Sequence, residues 1–166
     1  MTAQAAEQLR YQGQDHAMCS QPLDDYFSAG GACPDFASSS TALWRCYLGN
    51  WEIIDGRLYL IALRARLADG SAATLATVFP GYPDRVFAHW YCGSLRLPQG
   101  RLVKYVHSGF GSVHESDLFI AIDQGLVTGS HTRINGRAAD RDAPVGYGPG
   151  AWTVLASRRP SGKEGP

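Results

Sequence analysis

Through the middle of the chain, apolar and polar residues alternate with a period of two, and glycine-bearing pairs interrupt the alternation at short intervals. The clearest case is Trp51-Glu52-Ile53-Ile54-Asp55-Gly56-Arg57-Leu58-Tyr59-Leu60. Asp-Gly between two apolar-rich runs is a strong hairpin signal, because both residues tolerate the positive φ that a type I′ turn demands. A two-residue turn here sets Ile54 opposite Arg57, Ile53 opposite Leu58, Glu52 opposite Tyr59 and Trp51 opposite Leu60. Alternation then sends Trp51, Ile53, Leu58 and Leu60 to the core, and Glu52, Ile54, Arg57 and Tyr59 to a half-polar outer face.

A second pair, Asp69-Gly70, predicts a hairpin with Leu67 against Ala72, Ala65 against Thr74, Leu63 against Ala76 and Ile61 against Val78. The two hairpins disagree about the strand they share. The first needs Leu58 and Leu60 inside, whereas the second needs Ile61, Leu63 and Leu67 inside. Because side chains alternate, the strand must change parity near Leu60 to Ala62 or be buried on both faces, and a β-bulge, which adds one residue, is the economical answer. Two more turns are predicted, at Pro98-Gln99-Gly100 between strands 94–97 and 101–106, and at Gln124-Gly125 between strands 117–122 and 126–133. Residues 44–48 and 86–91 carry the aromatic and β-branched content of further strands.

The ends of the chain are less regular. Residues 1–10 read as one or two fraying helical turns, His16-Ala17-Met18 as a short strand, and Asp24-Asp25-Tyr26-Phe27 as a helical turn with its acidic residues at the start. Gly30 to Thr41 reads as loop. Beyond Ile134 the composition turns to Gly, Pro, Arg and Asp; Ala151-Trp152-Thr153-Val154-Leu155 can add a closing strand, and residues 157–166 read as a disordered tail. The expectation is one all-β domain over residues 1–156, with residues 1–40 as a loosely structured N-terminal arm. Its strongly bent antiparallel sheet is expected to close partly into a barrel or sandwich of consecutive hairpins.

Composition narrows the partners. The 166 residues carry 15 basic and 15 acidic side chains, a balance without the basic excess of a nucleic-acid or anionic-membrane surface. Cys19, Cys33, Cys46 and Cys92 show no C-x-x-C spacing, and the N-terminus lacks the basic start and apolar run of a signal peptide. No run approaches the roughly 18 apolar residues of a membrane span. These features predict a cytoplasmic protein with free thiols, Cys46 and Cys92 serving as small core residues.

Reactive side chains concentrate in Tyr105-Val106-His107-Ser108-Gly109-Phe110-Gly111-Ser112-Val113-His114-Glu115-Ser116-Asp117. If His107, His114 and Glu115 converged in a barrel mouth, they could serve as acid and base for a small-molecule or hydrolytic site. Recognised signatures are otherwise missing. There is no G-x-S-x-G elbow, the glycines at 109 and 111 precede a strand rather than open a nucleotide-binding helix, and the histidines have no zinc-ligand spacing. No cofactor and no metal are therefore expected. Aromatic, arginine and histidine residues placed on strands or their ends fit a partner surface better, since Tyr, Trp and Arg dominate interface hot spots. The candidate contacts are Arg45, Tyr47, His89, Arg96, Tyr105, His107, Phe110 and His114.

The segments Trp44-Arg45, Trp51-Glu52-Ile53 with Asp55-Gly56-Arg57-Leu58-Tyr59-Leu60, residues 93–100, and Tyr105-Val106-His107 with Gly111-Ser112-Val113-His114-Glu115-Ser116-Asp117-Leu118-Phe119 resemble a family of small bacterial proteins of uncharacterised function. The resemblance spans residues 40–130. Where that family has Arg-Gly-Tyr, this chain has Arg45-Cys46-Tyr47. The resemblance supplies no activity. It implies a stand-alone bacterial cytoplasmic protein, a setting in which immunity proteins and other small binders are common. The expected function is a non-enzymatic module that contacts a protein partner, such as a toxin or secreted effector.

Overall fold

The structure is a computed structural model and describes residues 2–138. The expected closing strand at 151–155 and the tail at 157–166 lie outside the described residues. The element order is β1 (Glu7–Tyr11), β2 (Gln14–Met18), α1 (Pro22–Ser28), β3 (Tyr47–Ile54), β4 (Arg57–Arg66), β5 (Ala72–Ala73), α2 (Leu75–Val78), β6 (Val86–Phe87), β7 (Gly93–Lys104), β8 (Val113–Asp123) and β9 (Leu126–Ile134). The described strands form one mixed sheet, ordered β2-β1-β3-β4-β9-β8-β7, with β5 and β6 attached to β4.

The β3–β4 hairpin has the pairing that its sequence dictates. Ile54 faces Arg57, Ile53 faces Leu58, Glu52 faces Tyr59 and Trp51 faces Leu60. Asp55 and Gly56 take φ of 49° and 72°, the I′ geometry. The parity conflict is also resolved as expected. Asn50 pairs with Ala62 and Trp51 with Leu60, which leaves Ile61 as the extra residue of a bulge. Leu58 and Leu60 before the bulge and Leu63 after it are all buried. Such a kink lets one strand serve two parts of the core.

Several expectations are corrected. Residues 1–40 are not a loose arm. β1 and β2 form a hairpin over Gln12 and Gly13, both at positive φ, and β1 lies parallel to β3, with Leu9 beside Trp51. Leu9, Met18 and Leu23 are fully buried, so the N-terminal segment supplies core and the sheet is mixed rather than purely antiparallel. Around Asp69-Gly70 the loop has three residues, closed by the Leu67 amide on Ser71 O, so Ala65 faces Ala73 rather than Thr74. The expected strand then gives way to α2, whose capping box pairs Thr74 with Thr77.

At Pro98-Gln99-Gly100 there is no hairpin. β7 runs straight through, and Gly100 and Arg101 form a bulge opposite Glu115, whose carboxylate accepts the Arg101 amide at 3.0 Å. Residues 86–91 supply only the two-residue β6 before turning. The last hairpin, β8–β9, forms over Gln124 and Gly125 as expected, with both at positive φ.

The sheet bends until its two ends approach, but it is not closed into a barrel. Past β2, the Cys19 amide donates to Arg96 O on β7 at 2.9 Å, and Ser20 Oγ accepts the Arg96 amide at 3.0 Å. No ladder joins the two strands. α1 covers one end of the core, packing Tyr26 and Phe27 against Phe79, Trp90, Phe36 and Tyr47. Trp90 Nε1 donates to Pro22 O at 2.8 Å, which ties the loop after β6 to the start of α1.

Candidate functional site

Arg45, Tyr47 and Arg96 are structural residues of the interior rather than a surface. Glu7 on β1 is buried between Arg45 Nε (3.1 Å) and Trp51 Nε1 (2.5 Å). Burial pushes its carboxyl up to about 7, outweighing the donors of Trp51, Arg45 and the Gly49 amide. Arg45 also donates to Ala5 O at 2.9 Å, and its guanidinium lies over the rings of Tyr47 and Phe110. Tyr47 is buried and its hydroxyl donates to Asp24 Oδ1. Burial pushes that phenol up, so it stays protonated.

A second buried carboxylate organises the opposite end. Asp117 accepts hydrogen bonds from Arg96 Nε (2.9 Å), Arg133 (2.9 Å) and Asn135 Nδ2 (2.8 Å). Burial alone would raise its carboxyl, but these donors hold it below the usual range. The two remaining donor groups of Arg96 reach Phe110 O (2.7 Å) and Ser112 O (3.0 Å). Arg96 therefore fixes the 110–112 loop to β7 and β8.

His107, His114 and Glu115 do not converge. His107 is exposed, and its Nδ1 meets the hydroxyl of exposed Tyr105 at 2.7 Å. His114 and Glu115 are neighbours on β8 and point to opposite faces. Glu115 holds the β7 bulge and accepts the Ala138 amide; the Arg101 and Ala138 amides keep its carboxyl below the usual range, a poor setting for a proton donor. His114 and Phe110 instead line a cavity of about 290 Å³ together with Cys19, Gln4 and Ser112. Cys92 is exposed rather than a core residue, its thiol donating to Asp123 Oδ1. Cys46 is half-buried. All four cysteines are free thiols.

The most distinctive surface lies on the outer side of β4 and β6. β6 pairs with β4 so that Phe87 faces Tyr59, their rings 5.7 Å apart. Arg85 stacks over Tyr59 at 4.7 Å and Arg57 over Phe87 at 5.5 Å. Neither arginine forms an ion pair with a carboxylate among the described residues. His89 follows on the same side, 6.4 Å from the Phe87 ring, and is exposed.

Phe87 and His89 form a ridge between two clefts. One, of about 410 Å³, is completed by Arg57, Gln124 and Leu126. The other, of about 380 Å³, is completed mainly by Phe79, Tyr82 and Trp90. Gly125 makes the ridge possible. A Cβ at that position would meet the Phe87 ring and Ala88 O at 2.8 Å, and its φ of 80° already disfavours any side chain. The β8–β9 turn thus slides under Phe87, bonded through Gly125 to Leu58 and Tyr91.

Of the residues singled out in the sequence, His89 belongs to this surface. Arg57 and Tyr59 were legible as outward-facing positions of the first hairpin. Phe87 and Arg85 were not, because only the long-range β6–β4 pairing brings them there. Among the described residues no three His, Cys, Asp or Glu side chains gather to hold a metal ion, and no helix is long and apolar enough to cross a membrane. Comparison with protein-family models, with curated proteins and with solved structures found no match.

Proposed function

We propose that the protein is a non-enzymatic binding module that docks an acidic segment of a partner protein onto the face formed by Arg57, Tyr59, Arg85, Phe87 and His89. The observation that carries this reading is the pair of carboxylate-free arginines stacked on aromatic rings beside two clefts. A guanidinium held over a ring loses less side-chain entropy when a carboxylate arrives, and with no carboxylate partner of its own its donors can pair with that of a ligand. Phe87 and Trp90 add the aromatic area that dominates binding energy at interfaces. The absence of convergence among His107, His114 and Glu115 supports a binding role over an acid–base one.

The test is selection from a random peptide display library on the intact protein, with counter-selection on the Arg57→Glu/Arg85→Glu variant. The expected winners carry clustered Asp or Glu next to an apolar or aromatic residue, and they lose binding to Phe87→Ala. Winners that are basic or uncharged, or that bind both proteins equally, would overturn the proposal.

A further inference from the structure

Beyond Val127, β9 runs without a neighbour on one of its sides among the described residues. β4 begins at Arg57, opposite Leu126, and the last backbone bond from that side joins the Val127 amide to Gly56 O at 2.8 Å. On the other side β8 follows β9 as far as Ile134. The next amide, that of Asn135, donates to Glu115 O at 2.9 Å. Backbone groups alternate in direction along an antiparallel ladder, so Arg133, His131 and Gly129 turn theirs to β8, and Ser130, Thr132 and Ile134 turn theirs outward. No bridge or backbone hydrogen bond from any described residue reaches those three outward positions. Residues 128–134 are all exposed.

An edge of this length normally carries lysine, proline or a bulge that bars another strand. Residues 129–134 hold no lysine and no proline, and the bulge at Thr128 lies at the foot of the edge. The side chains along it define what an added strand must carry. His131 stacks on the Phe119 ring at 5.1 Å, and Arg133 lies over the same ring at 5.1 Å. Arg133 bonds Asn135 through Nε and Asp117 through Nη2, and its Nη1 has no hydrogen-bond partner among the described residues. His131 and Arg133 share one face with Gly129, whereas Ser130, Thr132 and the exposed Ile134 share the other. β9 holds no Asp or Glu. A second copy paired symmetrically about His131 would set His131 against His131 and Arg133 against Gly129, with no carboxylate to meet either.

We infer that β9 is a docking edge for an extended segment of a partner protein, which adds an antiparallel strand there and alternates Asp or Glu with β-branched residues. Residues opposite His131 and Arg133 bring the carboxylates, and residues opposite Ser130, Thr132 and Ile134 bring Thr, Val or Ile. The main chain exchanges hydrogen bonds with the three outward positions, so affinity comes from the backbone and specificity from alternate side chains. The edge stands apart from the Phe87 ridge, and its occupation does not depend on that reading.

The probe is the peptide acetyl-Thr-Glu-Val-Glu-Val-Glu-Thr-amide, titrated into the isotope-labelled full-length protein. The readout is NMR hydrogen exchange at the amides of Ser130, Thr132 and Ile134, which binding at the ridge leaves unchanged. In the dilute free protein these amides are expected to exchange fast, while those of His131 and Arg133 are protected. Saturating peptide should slow the three at least about tenfold. Methylating the valine amides, which face β9, should abolish that protection, and methylating the glutamate amides, which face away, should preserve it. The peptide with Lys in place of Glu should bind at least about tenfold more weakly. Thr132→Pro removes an outward N–H that the β8 ladder does not use, and should abolish protection as well; the methylated peptides decide alone if that variant fails to fold. No slowing by the peptide, equal effects of the two methylation patterns, or equal binding of the Lys peptide would each overturn the inference. So would protection already present in the dilute free protein, the sign of residues 139–166 on the edge, or protection that grows with protein concentration alone, the sign of a second copy.

Discussion

Glu7 and Trp51 meet inside the sheet where β1 and β3 run parallel, the Glu7 carboxylate accepting the indole N–H at 2.5 Å. Gly49 makes room for the pair. A Cβ there would stand 2.6 Å from Trp51 Nε1 and 2.8 Å from Glu7 Oε2. Gly49→Ala is therefore expected to destabilise the fold by about 1–3 kcal/mol, the range for overpacking a tight site. Chemical denaturation read by Trp fluorescence measures this; an unchanged midpoint would contradict the role assigned to Gly49.

The same carboxylate predicts a pH dependence with a definite sign. Glu7 binds its proton more tightly in the folded protein (about 7) than an ordinary glutamate does (4.5). Stability contributed by Glu7 is thus fully present below pH 4.5 and is lost as pH rises to about 7. The span corresponds to at most about 3 kcal/mol. Glu7→Gln cannot titrate, so the stability difference between wild type and variant should grow in favour of wild type as pH falls through that window. A difference that stays flat would refute the assignment.

Asp117 is predicted to behave oppositely. Its carboxyl is depressed by Asn135, Arg96 and Arg133 against the effect of burial, so its contribution is present above the ordinary Asp value and is lost as pH falls from there through the lower value of the folded protein. Asp117→Ala removes the shared acceptor and leaves Arg96 with an uncompensated, mostly buried charge. A loss of about 3 kcal/mol is expected. Hydrogen exchange should also quicken in the 110–112 loop, which Arg96 holds. Protection unchanged in that loop would show that Arg96 is positioned by other contacts.

Cys46 occupies the left-handed region at φ 64°, a conformation that costs a residue with a side chain about 1–2 kcal/mol. Cys46→Gly is expected to raise the unfolding midpoint by relieving that strain, less the entropy glycine loses on folding, for a net gain of roughly 0.5–1 kcal/mol. Thermal unfolding checks it, and a lower midpoint would show that the Cys46 thiol contact to Trp44 O outweighs the strain.

The Asp55-Gly56 hairpin and the bulge at Ile61 could be read from sequence because both follow from local rules, turn chemistry and alternation. Three Gln-Gly pairs mark where local rules run out. Gln12-Gly13 and Gln124-Gly125 both turn hairpins, with both residues at positive φ, whereas Gln99-Gly100 only kinks a continuous strand around the Glu115 carboxylate. Pro98 precedes only the last of the three pairs, and a proline there is compatible with a turn as well as with a kink; the strand available opposite decides. The helical reading of residues 1–10 failed for the same reason. A weak local preference for helix yields to the burial of Leu9 beside Trp51 and of Glu7 beneath its indole.

The candidate site divides along the same line. Phe110 and His114 were marked by their crowded loop and do share a cavity. Arg45 and Arg96 were read as surface contacts because arginine usually is one, but each has a buried carboxylate partner supplied from a distant strand. Phe87 gained its place through a two-residue pairing with β4 that no periodicity announces.

The docking claim is tested most directly by calorimetric titration of a selected acidic peptide and its Lys-substituted counterpart against wild type and Arg57→Glu/Arg85→Glu. The account predicts that the acidic peptide binds wild type at least about tenfold more tightly than the variant, with affinity falling as salt rises, and that the Lys-substituted peptide reverses the order. Equal affinity of the acidic peptide for both proteins would contradict it.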